Sequence, residues 1–234
     1  MPEDFTADVT SVAALGEPVR RDLYRFVVAQ DRPVSREQVA AGVGVALHVA
    51  KFNLDRLVRD GLLDIEYSRP PGRGGPGAGR PAKLYRRSAR DIAVSLPERR
   101  YDLAGQVMAE AITVAVRHGV PVTDALRAAA QTTGRRLAEA ADPPAATPLV
   151  DAVGDALARN GYEPRVVPDA IVLANCPFHK LARDYTELVC GINLDLVDAV
   201  VDTLGPGDLC ARLDPGPDRC CVRIDTGVRE RPAG

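Results

Sequence analysis

The run RPPGRGGPGAGRPA, residues 69–82, constrains the fold more than any other stretch of the chain. Nine of its fourteen residues are Gly or Pro. It can therefore continue neither a helix nor a strand ladder, and it has no apolar surface to bury. The segments on either side, LLDIEY (62–67) and KLYR (83–86), alternate as strands do. A hairpin with a long polar tip is expected. Helical patterns precede it. PVRRDLYRFVVA (18–29) places Pro18 in a first turn and Val19, Leu23, Phe26 and Val27 on one stripe. Ser35 and Gln38 have the spacing of a capping box that opens a short helix to about Ala41. Gly42-Val43-Gly44 then turns the chain into a third helix, Ala46–Arg59, ended by Asp60-Gly61. The expected core stripe of that helix is Leu47, Ala50, Leu54, Leu57 and Val58.

Three helices followed by a basic hairpin form a winged helix-turn-helix. Between Tyr67 and Arg90 there are seven Lys/Arg and no acid. Residues 11–90 carry 15 Lys/Arg against 8 Asp/Glu, whereas residues 91–234 carry 15 against 21. A net of +7 in the first part points to a polyanion, and phosphate neutralisation is the usual use of an acid-free wing. The DNA-binding candidates are His48, Lys51, Phe52, Asn53 and Arg56 on the outward face of the third helix, with Arg80, Lys83 and Arg86 on the hairpin. The pieces LGEPVRRDLYRFV, GVALHVAKFNLDRLVRDGLL and GRPAKLYR resemble, in this order, bacterial repressors of the ArsR/DeoR type over about residues 11–88. Ala46 stands where that family usually has a Ser or Thr cap, and Phe52 where a polar or basic residue is common. The resemblance implies binding to double-stranded operator DNA.

The expected fold class is α+β, in three parts. Residues 1–90 form the winged helix-turn-helix, 91–145 a helical linker and dimerisation segment, and 146–234 a small α+β domain. In the middle part, Val107, Met108, Ala111, Ile112 and Ala115 form one stripe, and Val122, Ala125, Leu126, Ala129 and Leu137 another, separated by Gly119-Val120-Pro121. Apolar helices in this position are read as packing against a twin, which makes the chain a homodimer. The last part reads as a helix near Pro148–Asn160, a hairpin about Pro168-Asp169, helices Cys176–Tyr185 and Glu187–Leu204, and strands Leu209–Leu213 and Cys221–Asp225.

All five cysteines, Cys176, Cys190, Cys210, Cys220 and Cys221, fall in the last 59 residues, a clustering with a chance of about one in a thousand. Cys176 is read as opening a helix, whose dipole lowers a thiol pKa. If Cys220 and Cys221 lie in a strand they point to opposite faces, so only one of them reaches a site shared with Cys176. Three cysteinates and one further ligand are the minimum for zinc or an iron–sulfur cluster. The spacing lacks the CxxC knuckle of structural zinc sites, which favours a cluster. NCPFHKLARDYTELVC followed by a terminal cysteine pair resembles the C-terminal domain of the SufR family, iron–sulfur-sensing repressors of cluster-assembly operons. That resemblance implies Cys176, Cys190 and Cys221 as ligands, with Cys220 or His179 as the fourth. The family tends to space its last two cysteines one residue apart, whereas here they are adjacent.

No Ser/His/Asp, Walker or dinucleotide motif is present, and His48, His118 and His179 are scattered, so no enzyme is expected. No apolar run reaches the length of a membrane span. The opening MPEDFTADVT is acidic and polar, unlike a secretory signal, so a reducing cytoplasm is expected. The leading expectation is a DNA-binding regulator, in the sense of a repressor, controlled by a cluster or metal on the C-terminal cysteines. The alternative is a DNA-binding regulator that senses thiol redox state or a small ligand without a metal.

Overall fold

The computed structural model describes residues 3–68, 81–205 and 207–227. The chain is α+β and divides into two compact units, residues 1–94 and 95–234. The first unit opens with α1 (Glu3–Ala14), a helix that the sequence pattern had not marked. Its apolar Val9 and Val12 face solvent; it is held by Ala14, buried in the core, by the Ser11 hydroxyl, which donates to the Asp60 carbonyl oxygen (2.6 Å), and by Asp8, which pairs with Arg90 (2.5 Å). In α2 (Pro18–Val28), Pro18 sits in the first turn and the Glu17 carboxylate accepts from the Val19 and Arg20 backbone N–H groups (3.0 and 2.6 Å). The short strand β1 (Val34–Ser35), also unmarked by pattern, leads into α3 (Arg36–Val43). The capping box is present: Gln38 N–H donates to Ser35 Oγ, and Ser35 N–H to Gln38 Oε1. Gly44, at φ 76°, ends α3 in the left-handed region.

Helix α4 (Leu47–Arg59) buries Ala50, Leu54 and Leu57 completely. Leu47, expected in this stripe, is 46% exposed because it lies in the first turn, beyond the reach of the core. The hairpin forms as expected from β2 (Leu63–Ser68) and β3 (Ala82–Arg87), antiparallel with Ile65 opposite Tyr85. The sheet order is β1-β3-β2, and fully buried Tyr85 joins Leu23, Val39 and Leu63 in the core.

The second unit holds the helices expected as a separate linker. Helix α5 (Tyr101–His118) and helix α6 (Val122–Ala141) share one core with α7 (Leu149–Ala158) and the elements that follow, so the structure divides the chain into two units rather than three. The reason is α6, whose buried positions are mostly Ala, Thr or Gly. They admit α9 (Thr186–Leu204), which is buried along most of its length. The closest approach is at Gly134, where an added Cβ would lie 2.3 Å from the Leu196 carbonyl oxygen. The strands β4 (Pro164–Val167), β5 (Ala170–Leu173), β6 (Cys210–Leu213) and β7 (Val222–Asp225) form an antiparallel sheet in the order β4-β5-β7-β6. A short helix, α8 (His179–Asp184), lies between β5 and α9.

The contact at residue 134 carries a stability prediction. Gly134→Ala is expected to cost about 1–3 kcal/mol, because the backbone of α9 has to move. Gly154→Ala on α7, whose Cβ meets nothing nearer than Pro164 at 3.9 Å, should gain about 0.5–1 kcal/mol from helix propensity. Chemical denaturation of both variants against wild type measures the contrast.

Candidate functional site

Two groups of residues carry chemistry, one in each unit. In the first unit, His48 and Lys51 are exposed on α4, and Phe52 is 69% exposed. Arg56 is half-buried and its Nε bonds the Asp60 carboxylate (2.8 Å), itself nearly buried. Asn53 corrects the expectation of an outward face, for it is only 7% exposed. Its Nδ2 donates to the Val49 carbonyl oxygen (3.0 Å) and its Oδ1 accepts from Arg20 Nε (3.2 Å), so α2 rather than solvent receives this amide. Ala46, at the N-cap of α4, makes no side-chain bond to the first turn.

On the hairpin, Arg86 is exposed. Lys83 instead reaches Asp55 on α4 (2.5 Å), which also accepts from the Tyr85 hydroxyl (3.3 Å). Burial pushes the Asp55 carboxyl up, but the Lys83 ammonium outweighs it and holds the group below the ordinary range. The wing is thus pinned to the helix it flanks. Between α3, α4 and the hairpin lies an open cleft of about 490 Å³, with Ser35, Arg36, Lys51, Tyr67 and Lys83 among its lining residues. Arg80, with residues 69–79 of the wing, lies outside the described residues.

In the second unit, four of the five thiols come together. Cys176 lies in the turn between β5 and α8, Cys190 in the second turn of α9, and Cys220 and Cys221 in the turn that leads into β7. Cys176 lies beside Cys220, Cys220 beside Cys221, and Cys221 beside Cys190. The alternation expected for the cysteine pair does not apply, because β7 begins only at Val222. In the turn before it, both side chains reach the same group. The other two candidates stand apart. His179 is exposed at the start of α8, and the Cys210 thiol, on β6, lies 3.7 Å from the Ala211 carbonyl oxygen.

Within this group it is Cys220, not Cys176, whose thiol pKa is pushed down. Cys220 is 1% exposed and receives the Cys176 thiol first and then Cys221, with the Val222 N–H and the Asn193 amide (Nδ2 to Sγ 3.1 Å) adding to them. These donors outweigh burial and hold Cys220 well below the ordinary thiol range. The contact with Cys220, together with burial, pushes Cys176 and Cys221 up. The expected helix-dipole effect on Cys176 is overridden, because α8 starts three residues later and is only 6 residues long.

A second layer fixes this geometry. The Tyr162 hydroxyl donates to Asn193 Oδ1 (2.5 Å), and its ring stands edge-on to Phe178 at 6.5 Å. Asn175 Nδ2 donates to the Gly161 and Glu98 carbonyl oxygens (2.6 and 3.0 Å), and Arg99 Nη1 to the Cys176 carbonyl oxygen (2.7 Å). The turn that carries Cys176 is therefore tied to the segment before α5. In donor chemistry, four cysteine sulfurs suit zinc or an iron–sulfur cluster. In placement they form a chain of contacts. Among the described residues, no group of three or more His, Cys, Asp or Glu side chains is arranged as a metal-ligand set.

Among the described residues, no helix is long and apolar enough to cross a membrane. Neither a curated protein nor a solved structure matches the chain. Residues 15–66, from the end of α1 into β2, match a family model described as a helix-turn-helix domain, and this likeness points to a DNA-binding regulator rather than an enzyme.

Proposed function

We propose that the chain is a homodimeric, winged helix-turn-helix repressor of the ArsR/DeoR type whose affinity for operator DNA is set by the thiol group of its second unit, as in the SufR family that it resembles. The observation that carries the reading is the meeting of Cys176, Cys190 and Cys220, all buried, with the half-buried Cys221, from three separate segments. Cys176, Cys190 and Cys221 hold an iron–sulfur cluster, or zinc in its place, and Cys220 rather than His179 supplies the fourth ligand. The group, when bound, supplies a link between the two turns and α9 that is lost when iron supply or redox state changes. Asn193 and Tyr162 hold Cys220 in position, and Arg99 and Asn175 hold the turn of Cys176. Metal retention and DNA affinity are then coupled free energies, and each changes the other by the same factor. The protein works in a reducing cytoplasm, where such thiols stay free.

The mutual contact of the thiols favours a second reading, a switch without metal. Two thiols join as a disulfide, and their two electrons and two protons pass to a peroxide, which leaves as water. Iron, sulfide and zinc measured after anaerobic purification separate the two. Under the first reading, Ser at Cys176, Cys190, Cys220 or Cys221 abolishes metal retention, while Cys210→Ser and His179→Ala retain it. Equal metal content in Cys176→Ser and wild type overturns the first reading.

On the DNA side, His48, Lys51 and Phe52 meet the groove, with Arg56, Arg80, Lys83 and Arg86 on the phosphates. Asn53 acts through Arg20, as a brace for α4. Replacing Arg80, Lys83 and Arg86 together by Ala should weaken binding to every duplex. It should also flatten the dependence of log K on log salt by about one unit per lost phosphate contact. Asp55→Asn should act in the opposite direction, since it frees the Lys83 ammonium. Titrations at several salt concentrations measure both, and an unchanged slope in the triple variant removes the wing from the interface.

A further inference from the structure

Helix α5 buries one face and leaves another open. Leu103, Ala104, Val107, Ala111 and Ala115 are buried in the second unit. Tyr101, Gly105, Ala109, Ile112 and Val116 are exposed, Ile112 at 54% and Val116 at 82%. At about 100° per residue, these five positions fall within about 80° of each other and make a stripe about 22 Å long. No charged residue interrupts it. Asp102, Gln106, Thr113 and Arg117 run along one border. An uncharged apolar stripe of this length on an exposed helix marks a contact surface.

We propose that the stripe is covered by a second copy of the same chain, with α5 antiparallel to α5 across a two-fold axis beside Ala109. This locates the dimer surface of the regulator described above and rests on that reading. Three features of the sequence fit this occupant. In an isologous contact each group near the axis meets its own copy, so the centre must be small and uncharged, and Ala109 is both. On either side of the axis, Gly105 falls opposite Ile112 of the second copy, and Tyr101 opposite Val116. The large side chain meets the glycine, where an added Cβ would find nothing within 4 Å in the chain itself.

The third feature is charge. A two-fold axis normal to the plane of the two helices keeps each border on its own side of that plane. Asp102 of one copy, which Arg100 of its own chain already holds (3.2 Å), then also lies against Arg117 of the other, twice in the dimer. Opposite signs meet at both ends of the seam, and no like charges are forced together along it. A partner of unrelated sequence needs none of these coincidences.

Sedimentation of the full chain without DNA tests the assignment. Wild type should be a dimer with the circular dichroism of a folded α+β protein. Ile112→Glu should raise the dimer dissociation constant by about 100-fold, since it buries a carboxylate opposite an apolar seam. Asp102→Arg alone and Arg117→Asp alone should each raise it about tenfold, through two broken and repelling pairs. The double variant should return to within about threefold of wild type. That rescue keeps the test decisive where Ile112→Glu fails to fold. A monomeric wild type overturns the inference, and so does a dimer indifferent to all four variants or a double variant no better than the singles. A wild type that dimerises but binds no duplex overturns the regulator reading and not this one.

Discussion

The carbonyl oxygen of Leu196 occupies the space in which any side chain at position 134 would have to sit. That single steric fact organises the second unit. It lets α9 come so close to α6 that the helix is buried along most of its length, and α9 in turn carries Cys190 and Asn193. The alanines of α6 contribute little area each. They allow close packing, and the apolar surface of Val189, Leu196, Val197 and Val200 becomes the main burial of the unit.

Inside that aliphatic core lies a polar chain, Tyr162 to Asn193 to Cys220, with every hydrogen-bonding group at its centre engaged. Buried polar groups are stabilising only when satisfied, and an unmet donor costs about 1–3 kcal/mol. The sulfur of Cys220, which accepts from Asn193, is thus as much a structural acceptor as a chemical centre. Removing it leaves the Asn193 amide without its sulfur partner in a place that water does not reach. The first unit solves a similar problem differently. Its buried Asn53 is met by Arg20 from a neighbouring helix, so the cost of burial is offset across α2 and α4 rather than within one site.

Much of this was legible in the sequence. The hairpin was read to within about a residue because Gly and Pro punctuate it sharply, and its strands alternate over a buried face. Gly119-Val120-Pro121 marked the break between α5 and α6 for the same reason. Helix α1 was not legible, since it is held mainly by polar bonds, Ser11 to Asp60 and Asp8 to Arg90, and contributes Ala14 to the core rather than an apolar stripe. Strand β1 is only 2 residues long and gives no period. Asn53 was misplaced because helical spacing marks a face, while the partner that makes burial possible lies 33 residues away. For the cysteines, composition flagged the group but not its inner order. Whether Cys220 and Cys221 act together depends on β7 starting one residue after the pair, a boundary finer than any sequence pattern resolves.

The two hydrophobic cores, one built on Leu23, Leu54, Leu57 and Tyr85 and the other on Leu157, Ile171, Leu196 and Ile224, share no residue. Cooperative melting is a property of a continuous core, so this chain has two transitions to offer and no single free energy of unfolding. Oxidation of the thiols acts on the half that contains them. The half that carries α4 can keep its native shape while the other is molten.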